Sequence, residues 1–270
     1  MTALAWSLAP DRVTVATDTL HTMPAPAGEV PRHRPAALRS KIMVLADLRM
    51  AIVTRGPLAE IGHTAFLNLL SDWRIASGDE AFAALPALFS AATDHVTERV
   101  LGGPCDWLDR VLCEVASFGW SAAAGRFRGF YSANFRLAGY PGGFVPVELE
   151  DGVNAVPAIA PEAFERATAG GGTVAQLVGL LSHLKATHDA TGDGGVGGEV
   201  DVATLMRSGV RQGIAHRFAD ADQVAGDAVR HRVAYDRDAA LAALRGAMQP
   251  ADLAGWNETA AARGHYLAET

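Results

Sequence analysis

Lysine and cysteine are scarce in this chain, and long apolar runs are missing. Only Lys41 and Lys185 stand among the 23 basic residues; the other 21 are arginines. Two cysteines, Cys105 and Cys113, are too few for a disulfide framework, and they form no CxxC or Cys/His pattern. We therefore expect free thiols in a reducing compartment and a cytoplasmic protein. No stretch reaches the roughly 18–20 apolar residues of a membrane span. The opening MTALAWSLAPDR lacks the basic start and unbroken apolar core of a secretory signal. Thirty acidic against 23 basic residues give a formal charge of −7, which speaks against nucleic acid or an anionic membrane as partner. Phosphate-loop, GxSxG and HExxH motifs are missing too, so no metal and no cofactor is expected. Gly192, Gly194, Gly195, Gly197 and Gly198 lack a strand–helix setting and read as a flexible turn.

What is present is globular. Of 270 residues 49% are apolar and 20% charged, enough for a sizeable core in one large or two small domains. Residues 4–8 and 13–17 read as strands joined by the turn Ala9-Pro10-Asp11-Arg12. Four prolines between 18 and 39 predict an irregular loop. Residues 41–46 and 49–54 predict a second hairpin. Apolar residues at helical spacing predict helices over 57–75 and 80–101. Strands follow at 111–117, 127–135, 144–149 and 152–159, helices at 162–167 and 173–187, and strands at 200–206 and 213–218. Runs of strands alternating with runs of helices indicate an α+β layered fold, not a doubly wound sheet. From 220 onward the chain turns charged and Ala-rich, with helices predicted over 236–248 and 251–262. The expected division is one domain over 1–218 and a mostly helical extension over 219–270.

The residue that can carry chemistry is Thr2. Removal of Met1 would make it N-terminal, with nucleophile and base in one residue. Its hydroxyl attacks, and its own α-amine, of intrinsic pKa about 7.7–8.0, takes the proton. Such chemistry needs a nearby cation, an anion to hold that cation, and an N–H group for the oxyanion. Lysine can lose its proton and arginine cannot, which makes the two lysines, Lys41 and Lys185, stand out.

Residues 2–60 resemble the N-terminal half of proteasome β subunits and of the bacterial peptidase HslV. In that family an Asp follows the catalytic Thr by sixteen residues, after a V-x-[IV]-A-x-D pattern. Val13-Thr14-Val15-Ala16-Thr17-Asp18 matches it at the same spacing from Thr2. Ser40-Lys41-Ile42 matches the family's lysine at the start of its third strand, and Thr54-Arg55-Gly56 its turn into a long helix. Further on, 126–135 and 199–203 resemble later strands of the family.

The resemblance implies the four-layer αββα sandwich of N-terminal-nucleophile hydrolases. It implies Thr2 as nucleophile, Lys41 lowering its pKa, Asp18 orienting Lys41, and the Gly56 N–H as oxyanion donor. Thr19 and Arg55 would lie beside the substrate. Asp189 or Asp193 would support the site. A homo-oligomer, ring-shaped in the family, a peptide or unfolded polypeptide as substrate, and an unfoldase as partner are implied as well. Where the family places a supporting serine, this chain has Ala158-Ile159-Ala160-Pro161. That difference favours one alternative, a catalytically inactive structural or assembly subunit; the wider superfamily that the resemblance implies adds another, an amidase acting on a small molecule.

Overall fold

The computed structural model describes residues 2–25, 28–56, 59–71, 74–99, 113–134 and 141–233. In chain order the elements begin with β1 (Leu4–Ala9), β2 (Arg12–Asp18), β3 (Leu20–Pro24), β4 (His33–Leu38), β5 (Ile42–Leu45) and β6 (Met50–Arg55). Then come α1 (Ala59–Ser71), α2 (Gly78–Arg99), β7 (Glu114–Ser121), β8 (Arg126–Ala133), β9 (Val147–Glu148) and β10 (Gly152–Val156). The order closes with α3 (Pro161–Thr168), α4 (Thr173–Ala190), β11 (Glu199–Met206), β12 (Gly209–Arg217) and α5 (Ala221–Val233). The expected helices over 236–248 and 251–262, and Pro57 and Cys105, lie outside the described residues.

All strand pairs are antiparallel. One five-stranded sheet has the order β10-β1-β2-β11-β12, and a second has the order β5-β6-β7-β8-β9. An apolar core lies between them: Leu4, Trp6, Val13, Val15 and Leu205 of the first sheet meet Ala51, Val53, Phe118, Phe127 and Tyr131 of the second. β2 is buried on both faces, with Ala16 packed against α4 residues Leu177, Leu180 and Leu181. The outer face of the second sheet, with Met50, Ile52 and Val115, packs on α1 and α2 through Ile61, Leu85, Leu88 and Phe89.

Two expectations are corrected. The region between 18 and 39 is not irregular: β3 and β4 form a two-stranded antiparallel ribbon, Leu20 facing Leu38 and Pro24 facing His33. Prolines fit here because both strands are edges, and Pro35 falls where the register shifts. The four-layer αββα sandwich is also set aside. The described residues form a mixed α/β arrangement of three antiparallel sheets and five helices. The ribbon, with α5 packed against β4, has no place in a plain four-layer plan. Among the described residues no helix is long and apolar enough to cross a membrane.

Candidate active site

Antiparallel pairing assembles the site in two halves. In the first sheet Leu4 pairs with Thr17, so Thr2, ahead of β1, sits beside Asp18 at the end of β2. In the second sheet Ile42 pairs with Val53, so Lys41, ahead of β5, sits at the end of β6 that carries Arg55. Gly56 has φ +104°, a conformation that favours glycine, and its carbonyl accepts from Ala59 N at 3.3 Å as the chain turns into α1.

Asp18 joins the halves. Its side chain is 0% exposed and that of Lys41 4%. Lys41 Nζ donates to both Asp18 oxygens at 2.9 Å. Asp18 Oδ1 also accepts from Ala3 N at 2.9 Å, and Oδ2 from Gly197 N at 3.3 Å. One carboxylate therefore binds the lysine, the residue following Thr2, and the glycine loop before β11. Burial pushes the Lys41 ammonium below its ordinary pKa; Asp18 opposes this, and Arg55 adds to the lowering.

The other predicted residues are placed as follows. Thr2 is buried. Arg55 is buried as well; its Nε donates to the Thr2 carbonyl at 3.1 Å and its Nη1 to Glu114 Oε2. Thr19 is buried, its Oγ1 accepting from Glu199 N at 2.9 Å. Asp189 pairs with Lys185 at 2.9 Å and is 52% exposed. Asp193 sits between two histidines, 2.7 Å from His33 Nδ1 and 3.4 Å from His188 Nδ1. Burial works to raise the Asp193 pKa, but His188 and His33 outweigh it and hold the carboxyl well below the usual range. Among the described residues no cluster of three or more His, Cys, Asp or Glu is arranged to hold a metal ion.

Two groups escaped the sequence reading. Glu114 and Tyr131 form a buried unit with Arg55, Tyr131 Oη donating to Glu114 Oε2. An acidic residue opening a mostly apolar strand was the available signal. His21, on β3, is half-buried, and its Nε2 has no hydrogen-bond partner. Burial, followed by Lys41, Arg39 and His63, pushes its pKa down to about 3.

No protein-family model matches the chain, and neither does any curated protein. The likeness is to Anbu. A solved structure of an Anbu (Gly-1) mutant from Hyphomicrobium sp. strain MC1 matches with a TM-score of 0.51 and 15% identity, over 87% of this chain and 97% of that one. Anbu (ancestral beta-subunit) from Yersinia bercovieri matches with a TM-score of 0.49 and 13% identity, over 100% of this chain and 99% of that one. The Hyphomicrobium match shows a shared fold and nothing finer. Membership in the proteasome β-subunit and HslV family, implied by residues 2–60, is therefore corrected: what stands is a distant proteasome-like fold. A fold alone does not carry an activity.

Proposed function

We propose that the chain is an N-terminal threonine hydrolase acting on peptide bonds, with Thr2 as nucleophile once Met1 is removed. The observation that carries this reading is the Asp18 carboxylate, which binds the Lys41 ammonium through both oxygens and the Ala3 N–H through one. A lysine of lowered pKa is thereby fixed beside the start of β1. In the reaction the Thr2 hydroxyl oxygen bonds to the substrate carbonyl carbon while its proton passes to the Thr2 α-amine. The Gly56 N–H meets the oxyanion, and the α-amine returns the proton to the departing amine. Water then cleaves the resulting ester and restores the hydroxyl. Lys41 stabilises the developing alkoxide, and Asp18 keeps Lys41 in place.

Thr19 and Arg55, read from the sequence as substrate contacts, act in this scheme from inside the protein, since their polar groups bond to Glu199 and to Thr2 and Glu114. Self-association fits Leu67 and Leu70, which lie three residues apart on α1 and are 59% and 53% exposed.

A second reading, a non-catalytic structural subunit, is favoured by 158–161, where no serine supports the amine, and by the engagement of Asp189 and Asp193 elsewhere. Intact mass of untagged protein and labelling by a peptide epoxyketone separate the two. The peptidase reading expects loss of Met1 and one adduct at Thr2 that vanishes in Thr2→Ala. Retained Met1 or no adduct overturns it. An adduct without turnover of any peptide library, alongside hydrolysis of small amides, favours an amidase.

A further inference from the structure

The peptide unit joining Thr2 to Ala3 is gripped at both of its polar atoms by charged side chains from different sheets. Its carbonyl oxygen accepts from Arg55 Nε at 3.1 Å, from the end of β6. Its N–H donates to Asp18 Oδ1 at 2.9 Å, at the end of β2. Arg55 is in turn held by Glu114, its cross-strand partner on β7, and Glu114 by Tyr131 on β8. All three side chains are buried, on the face of the second sheet that carries Val53, Ala116 and Phe118 into the core between the sheets.

A buried ion pair is a poor device for stability alone, since apolar residues of the same volume would serve as well or better. Its value is directional: a guanidinium held by a carboxylate offers its remaining N–H along a fixed line. Here that line ends on the residue bearing the reactive hydroxyl. With both atoms of the following peptide fixed, the Cα of residue 2, which lies in that peptide plane, is held at one place relative to Lys41.

We infer that Arg55, with Glu114 and Tyr131 behind it, is a positioning residue that orients Thr2 by clamping the Thr2–Ala3 peptide. This rests on Thr2 being the nucleophile. The unit touches no substrate, so it acts on the rate of the chemical step and not on substrate affinity. A displacement near 1 Å at a reacting atom costs on the order of 10²-fold in rate.

The experiment uses the full chain and three variants, Arg55→Lys, Glu114→Gln and Tyr131→Phe. Tyr131→Phe keeps the volume and the Arg55–Glu114 pair, so it guards against loss of folding. The maximal rate of Thr2 modification by a peptide epoxyketone and the half-saturating concentration are measured separately. The Ala3 amide is followed by NMR hydrogen exchange, using carbonyl-labelled threonine with nitrogen-labelled alanine. We expect a maximal rate lowered about 10- to 100-fold in Arg55→Lys and Glu114→Gln and less in Tyr131→Phe, half-saturation within about twofold of the parent, and faster Ala3 exchange in the same order. Unchanged Ala3 exchange overturns the clamp. So does raised half-saturation at unchanged maximal rate, which would make Arg55 a substrate contact. If the parent chain takes no label, the nucleophile reading fails and positioning for catalysis fails with it, while Ala3 exchange still decides whether the clamp exists.

Discussion

At the scale of single residues, the site depends on charges placed where water cannot screen them. Asp18 and Lys41 are both removed from solvent, and each is tolerable only because of the other. Asp18→Asn keeps the shape and leaves the ammonium without its counter-charge. We expect a loss of about 3–5 kcal/mol in denaturant unfolding, together with loss of Thr2 labelling. Lys41→Arg keeps the charge but not a group able to lose its proton, and should abolish labelling while costing less stability. His21 adds a pH dependence. Its folded pKa near 3 lies below the unfolded value of 6.5, so between those values the unfolded chain binds more protons. Stability therefore rises from about pH 3 to about pH 6.5 and is lost as pH falls through that window. Thermal melts of His21→Gln should show a shallower acid-side decline than the parent over the same range, and an unchanged slope would count against this. Asp193 acts lower: its depressed carboxyl contributes stability above the unfolded carboxylate pKa, lost as pH falls below it.

At the scale of elements, close approach decides what can change. α3 and α4 pack so tightly that a Cβ at Gly179 would lie 2.1 Å from the Ala167 carbonyl oxygen. Gly179→Ala must push backbone against backbone, so its usual gain in helix propensity is reversed. A loss of about 1–3 kcal/mol is expected in denaturant melts. The β3–β4 ribbon shows why its pairing was hard to read. Pro24 and Pro35 argue against a strand in any central position, yet a two-stranded ribbon has no central position. The ribbon is held by neighbours remote in sequence: Arg32 N donates to the Gly192 carbonyl at 3.0 Å, His33 N to that of Asp193 at 3.1 Å, and His33 Nδ1 lies 2.7 Å from Asp193 Oδ1. The glycines between 192 and 198 read as a flexible turn; instead they form a docking strip, where Gly194 and Gly198 have positive φ and Gly197 reaches Asp18.

At the scale of the whole molecule, the core between the two large sheets sets the distance between the halves of the site. Phe118, fully buried there, packs on Trp6 with ring centroids 5.9 Å apart. Phe118→Ala should cost about 3–5 kcal/mol. It should also slow Thr2 labelling beyond what partial unfolding explains, because Asp18 and Lys41 stand on opposite sides of that core. Labelling that tracks only the folded fraction would argue that the site is insulated from the packing between sheets.

The roles of Thr2, Asp18, Lys41 and Gly56 came from the family resemblance; local patterning was enough to pair β1 with β2 and β5 with β6. Each pair closes a short antiparallel hairpin, and in a hairpin the turn length and the apolar alternation set the register. The sequence alone also marked Lys41 as unusual, through the near-absence of lysine elsewhere. Stacking of one hairpin on the other, which brings the Lys41 ammonium to the Asp18 carboxylate, was decided only by the tertiary structure. So were the burial of Glu114 and Tyr131 behind Arg55 and the seating of the ribbon on the glycine strip. These contacts join residues tens to well over a hundred positions apart, and the burial that makes them strong is a property of the packed sheets, not of any segment within them.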